Sequence, residues 1–192
     1  MPVVYLTGAP ATGKSTLCRN LAANFPDLAV FSYSERLRDH VARRIASQLS
    51  EEQIRQQSGR LVTAQDVQEV DLSLLELLHR ERGVRSILID SHAVTKEVYG
   101  FRVTPFSDER VLQLDPDFVI CLYADSEVIV ERIRSHPMGR PAVTNFEADM
   151  HTLMQSTLAL HYATRLGRPL YLLDSSVPPQ ELVKIVAERA QL

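Results

Sequence analysis

Between a short apolar run, Val3-Val4-Tyr5-Leu6, and a segment of helical character lies Gly8-Ala9-Pro10-Ala11-Thr12-Gly13-Lys14-Ser15-Thr16. This is the pattern G-x-x-x-x-G-K-[ST]. It constrains the fold more than any other feature because it requires a strand, a tight turn and a helix in that order. The two glycines let the backbone turn its N–H groups inward around an anion. Lys14 adds positive charge for the outer phosphates, the Ser15 hydroxyl is placed to ligate Mg²⁺, and the following helix contributes the positive end of its dipole. Residues 8–16 are therefore expected to hold the phosphates of a nucleotide. The competing reading, an ordinary Gly-rich turn, is disfavoured by the strand before it and the helix after it.

The 192 residues suit one domain with a sizeable core, and 45% hydrophobic with 23% charged residues is a soluble globular profile. A net charge of −3 gives no basic field, so a nucleic-acid partner is not expected. Cys18 and Cys121 read as small core hydrophobes of a reducing compartment, not as a bridge or a metal site. No apolar run is long enough to span a membrane and no signal segment precedes the first strand, so the expected location is cytoplasmic.

Apolar clusters rich in β-branched residues alternate with helix-period segments, the pattern of a parallel α/β sheet with crossover helices. The expected strands are Val3 to Leu6, Ala29 to Tyr33, Ser86 to Asp90, Phe118 to Tyr123 and Leu170 to Asp174. Ile87-Leu88-Ile89 and Val119-Ile120-Cys121-Leu122 are apolar on both faces, as central strands covered on each side must be. Ser32 with Glu35, Ser50 with Gln53 and Thr144 with Glu147 have capping-box spacing. Asp125 reads as a helix cap. A last helix carries the stripe Leu182, Ile185, Val186 and Ala190 behind Pro178 and Pro179. Two stretches read as irregular: Ser91 to Pro105, and His136 to Val143, where Pro137, Gly139 and Pro141 break helix formation. No repeat or linker divides the chain, so residues 1–192 are expected to form a single domain.

Many protein classes share such a loop. Small GTPases require a guanine-reading N-K-x-D segment, which is absent. Large motor or AAA-type ATPases run longer and carry a fuller acidic magnesium motif. Compact kinases, which move the terminal phosphoryl of ATP to a small acceptor, remain.

The chain resembles the adenylate kinase family, broadly the nucleoside monophosphate kinases, and especially the archaeal-type branch. The matching stretches are Thr7 to Thr16, Ile89-Asp90-Ser91-His92-Ala93-Val94, Asp115-Pro116-Asp117-Phe118-Val119-Ile120, Ala124-Asp125 and Thr157 to Leu173. The resemblance implies a three-layer α/β/α P-loop NTPase fold with a five-stranded parallel sheet in order 2-3-1-4-5. It also implies an acceptor-binding region at about 32–66, a short lid at about 134–145, and a possible homo-oligomer.

In that frame Asp90, ending a buried strand, would hold magnesium through a water; otherwise it caps the next turn. Arg132, Arg134 and Arg140 bracket the Pro-Gly break and are candidates to reach the transferring phosphate on closure, although arginines near a helix end are also favoured by the dipole alone. The lid is sparser in basic residues than the archaeal pattern. Ser32 to Arg38 resembles the family's S-x-G-D-x-L-R segment, which would make Arg38 an acceptor-phosphate ligand unless it is a solvated helix-surface charge. Arg55, His92 and Arg102 are further acceptor-side candidates, with His92 equally readable as an exposed or structural histidine. The expected function is transfer from Mg·ATP to a nucleoside monophosphate, AMP favoured. The alternatives are a kinase for another small acceptor or a polynucleotide 5′ end, and a nucleotide-switched assembly protein.

Overall fold

The computed structural model describes residues 1–45, 61–137 and 139–192. Five strands form a parallel sheet: β1 (Val3–Gly8), β2 (Ala29–Ser32), β3 (Ile87–Asp90), β6 (Phe118–Tyr123) and β7 (Leu170–Asp174). Their order is β2-β3-β1-β6-β7, which is 2-3-1-4-5 when only the sheet strands are counted. The remaining two strands, β4 (Val94–Glu97) and β5 (Gly100–Val103), pair antiparallel as a separate hairpin. This corrects the expectation of an irregular stretch from Ser91 to Pro105. The two four-residue strands, Val-Thr-Lys-Glu and Gly-Phe-Arg-Val, are short and lack a regular apolar–polar alternation, so the sequence pattern does not separate a hairpin from a loop.

Side-chain alternation along the strands sorts the core into two faces. Val3, Tyr5, Ile87, Ile89, Val119 and Cys121 project to one side, where α3 (Ala64–Glu81), α4 (Asp108–Leu114) and α6 (Asn145–Leu166) cover them. Val4, Leu6, Leu88, Ile120 and Leu122 project to the other, against α1 (Lys14–Asn24) and α7 (Pro179–Ala190). The two cysteines therefore lie on opposite faces of the sheet, and burial pushes both thiols up to about 12. They are core residues, as expected.

Helix starts follow local chemistry. Thr144 and Glu147 close the expected capping box at α6, whose far end is stopped by Gly167 at φ 63°. An unanticipated box, Thr63 with Asp66, opens α3. Ser32 makes no such bond: it ends β2 and leads directly into α2 (Tyr33–Arg44), so the Ser32–Glu35 expectation is corrected. Asp125 occupies the N-cap position of α5 (Ser126–Ser135) without a side-chain hydrogen bond. The Ser50–Gln53 box lies outside the described residues. On α7 the buried positions are Leu182, Val183, Val186 and Ala190, with Val183 taking the place anticipated for Ile185.

Candidate active site

At the carboxyl end of the sheet, β1 runs between β3 and β6, and the loop of residues 8–13 climbs over that edge into α1. Gly8 is fixed by a close approach: a Cβ there would lie 2.7 Å from the Leu122 carbonyl oxygen and 3.1 Å from the Leu122 Cβ. Gly13 caps α1 at φ 84°, a left-handed geometry open to glycine at little cost. Ala11 adopts φ 63° despite its Cβ, a local strain of about 1–2 kcal/mol. Inside the loop, the Thr12 hydroxyl donates to the Ala9 carbonyl at 2.8 Å. The first turn of α1 has no side-chain cap and no acidic residue of its own, which leaves the positive end of the helix available to an anion.

Lys14 and Asp90 meet across this loop. The Lys14 Nζ is 3.5 Å from Asp90 Oδ1, and both side chains are largely buried. Parallel pairing aligns Asp90 with Leu6 on one side and Ser32 on the other, which sets the carboxylate beside the loop entrance. Asp90 Oδ1 accepts no hydrogen bond although it is buried. A buried carboxylate oxygen paired with Lys14, together with the Ser15 hydroxyl on the next residue, fits the donor types of a hard divalent cation, which favours one or two protein oxygens plus nucleotide phosphates.

Arg132 reaches in from α5. Its Nη1 donates to the Ala11 carbonyl at 3.1 Å and its Nη2 to the Ser175 carbonyl at 3.1 Å, tying the strained loop residue to the turn after β7. Ala11 also packs on the small apolar cluster of Ala124, Ile129, Ile133 and Ala148 that joins α5 to α6. The other two lid candidates differ. Arg134 is exposed and ion-paired with Glu131 one helical turn back. Arg140, half-buried, donates to the His136 carbonyl at 3.4 Å.

The acceptor-side candidates are spread wider. On α2, Arg38 pairs with Asp39, Arg36 lies over the Phe31 ring, and Arg44 clasps Asp66 on α3. Arg102 on β5 is ion-paired with Glu97 on β4 at 3.0 Å. His92 is exposed in the loop joining Asp90 to β4. Arg55 lies outside the described residues. The structure thus brings together Lys14, Asp90, Ser15 and Arg132 around one loop, whereas Arg38 and Arg134 are ion-paired within their own helices and Arg102 across the β4–β5 hairpin.

Beneath the loop lies a buried polar cluster that the sequence reading missed. Gln155 and His151, both on α6, contact Thr7 and Val94. Burial pulls the His151 imidazole below its ordinary value, and its Nε2–H donates to the Val94 carbonyl at 3.0 Å. A histidine and a glutamine four residues apart on a face that otherwise buries Ala148, Ala159 and Ala163 were the available signal.

Fold and site together define a P-loop kinase, an ATP-dependent phosphotransferase acting on a small acceptor. Residues 7–148 match the family model described as an AAA domain, and the chain belongs to that family. An adenylate kinase of Pyrobaculum aerophilum is 23% identical over 149 residues, spanning 77% of this chain and 72% of that protein. Among solved structures, shikimate kinase from Acinetobacter baumannii in complex with shikimate superposes with a TM-score of 0.60 at 16% identity, over 100% of this chain and 94% of that one. A gluconokinase from Sinorhizobium meliloti 1021 gives 0.52 at 13% identity, over 99% and 94%. These likenesses establish the fold. Among the described residues no helix is long and apolar enough to cross a membrane.

Proposed function

We propose that this chain is a nucleoside monophosphate kinase, transferring the terminal phosphoryl of Mg·ATP to AMP or a related monophosphate. The observation that carries this reading is the similarity to an adenylate kinase over 77% of the chain. In this reading residues 8–16 bind the ATP phosphates, and Lys14 follows the charge that develops on the transferring group. Ser15 and Asp90 would hold Mg²⁺, Asp90 through a water; the ion supplies charge neutralisation between the outer phosphates. Among the described residues no group of three or more His, Cys, Asp or Glu could hold a metal ion, so the nucleotide itself would supply most of the ligand oxygens.

Arg132 is assigned to positioning the loop, because both of its terminal nitrogens are engaged by carbonyls of Ala11 and Ser175. Arg140, which lies within the Pro-Gly segment that would close, is the lid arginine assigned to the transferring phosphate in this reading. On the acceptor side Arg38, His92 and Arg102 border the region after β2 and β3, and a phosphate would compete with Asp39 and Glu97 for the two arginines.

A second reading keeps the donor site and changes the acceptor to a small hydroxylated metabolite. It is favoured by the structural likeness to shikimate kinase and gluconokinase. A coupled assay for ADP separates the two. Rapid ADP formation from ATP only when AMP or another monophosphate is added supports the first reading. Turnover indifferent to every monophosphate and dependent on a hydroxylated acceptor replaces it with the second.

A further inference from the structure

Gln155 lies at the centre of α6 and is almost wholly buried, at 1% exposure. Its amide faces two ways. The Nε2 group donates to the Thr7 hydroxyl at 2.8 Å, and Oε1 accepts from the Val94 backbone N–H at 3.2 Å. Thr7 is the residue before Gly8, where the phosphate loop begins, and Val94 opens β4 four residues after Asp90. One turn earlier on the same helix, His151 donates to the Val94 carbonyl. Both backbone groups of Val94 are thus served by α6 side chains at i and i+4, which occupy the place a neighbouring strand would take.

That arrangement answers a geometric need. The chain follows the parallel sheet through Asp90, and Ser91 still donates to the Leu6 carbonyl at 3.1 Å. Beyond it the backbone turns out of the sheet into the hairpin. There the Ala93 carbonyl accepts from the Thr104 N–H at 2.8 Å, which ties the segment to the hairpin, while the bonds from α6 to Val94 tie the same segment to the helix that also holds Thr7. A buried amide with both its nitrogen and its oxygen bonded is a directional anchor, because any displacement leaves buried polar groups unpaired.

We propose that Gln155 is a positioning residue: its amide bridges Thr7 to Val94 and so sets the phosphate loop in register with the Asp90–Val94 segment, keeping the donor site preorganised for ATP. The inference rests on the donor-site reading above. It concerns a residue that touches neither nucleotide nor acceptor, and it acts only through the two backbone segments it joins.

The test uses the full chain with Gln155→Met, Thr7→Val, Thr7→Ser and the double variant Gln155→Met/Thr7→Val. ATP affinity is read by titration calorimetry, thermal midpoint by scanning calorimetry, and local opening by amide hydrogen exchange of the nucleotide-free protein. Gln155→Met and Thr7→Val are each expected to weaken ATP binding about tenfold, the lower end of what losing a supporting residue costs a site. The double variant should lose no more than the worse single one, since both remove the same bond. Thr7→Ser should bind ATP as the native protein does, and faster exchange should be confined to residues 8–16 and 91–95. Should Gln155→Met fail to fold, the Thr7→Val and Thr7→Ser pair decides the matter on the same bond.

Unchanged ATP affinity in Thr7→Val overturns the proposal, as do additive losses in the double variant. So does exchange accelerated across the whole sheet in step with a lowered thermal midpoint, which would mean a purely structural role. A native chain that binds no ATP overturns the donor-site reading itself and the bridge with it. Native binding that survives the variants overturns the bridge alone.

Discussion

Lys14 faces two demands at once. It is expected to attract the outer phosphates, yet it also stands 3.5 Å from a buried carboxylate. Removing it therefore does more than empty a ligand site: Asp90 is left buried without its ionic partner, and such uncompensated charges are costly. Lys14→Ala should weaken ATP binding at least about a hundredfold and destabilise the fold by about 2 kcal/mol, less than for a fully enclosed pair. Adding Asp90→Asn should restore much of the stability and none of the binding; urea unfolding and ATP titration on the three variants read the two effects apart. Gly8 makes a different prediction. The Leu122 carbonyl oxygen at 2.7 Å from an added Cβ is backbone of a central strand and cannot rotate aside. Gly8→Ala should cost about 2–4 kcal/mol, seen as an earlier urea midpoint, with ATP affinity falling alongside. The geometry of Gly8 and Lys14 was legible in the sequence, because a phosphate loop fixes spacing and geometry together; Asp90 was expected only from its place at the end of a buried strand and from the family resemblance. Gln155 and Arg132's contact with Ala11 were not, since both are set by where α5 and α6 dock rather than by local pattern.

At the scale of elements, α2 and α3 are joined by one buried carboxylate. Asp66 accepts from the Thr63 backbone and hydroxyl within its capping box, takes two bonds from the Arg44 guanidinium, and lies 3.2 Å from His40 Nε2. Burial alone would raise its pKa, but the hydrogen bonds from Thr63 and Arg44 prevail and bring it down to about 2 from 3.8. A depressed carboxylate stabilises the fold above the unfolded value and loses that contribution as pH falls through the folded one. The α2–α3 junction should therefore be at full strength above about pH 4 and weaken progressively toward pH 2. Asp66→Asn should cost about 1–2 kcal/mol near neutrality, the range for losing a capping side chain, and the gap from native should close toward pH 2 in urea titrations. The Thr63–Asp66 box was present in the sequence as T-x-x-D, which has the same spacing as the Ser/Thr-x-x-Glu/Gln pattern that did reveal Thr144–Glu147 but a shorter acidic side chain. Ser32–Glu35 had the full spacing and formed no box, because a strand that passes straight into a helix leaves its last residue no turn in which to fold back. Spacing identifies which side chains can pair; the approach angle of the preceding chain decides whether they do.

Taken whole, the molecule places its two helical layers on opposite faces of a sheet whose central strands carry every backbone element of the donor site. β1 supplies the loop, β3 supplies Asp90, and β6 closes against Gly8. The order 2-3-1-4-5 sets the loop-bearing strand between the one that carries Asp90 and the one that leads to Arg132, so three chain segments far apart in sequence converge on one edge. Because ligand binding there draws on all three, nucleotide should stabilise the fold as a unit. Saturation at about a hundred times Kd contributes about 2.7 kcal/mol, which for a chain of this size raises the thermal midpoint by about 5–10 °C. Mg·ATP should produce that shift in the native protein and none in Lys14→Ala. The acceptor shift then discriminates between the two functional readings without requiring turnover. AMP stabilising both native protein and Lys14→Ala places a phosphate-recognising acceptor site apart from the loop, as a nucleoside monophosphate kinase requires. If no monophosphate moves the midpoint while a polyhydroxylated carboxylic acid does, the donor site stands and the acceptor belongs to the class bound by the shikimate and gluconate kinases that share the fold.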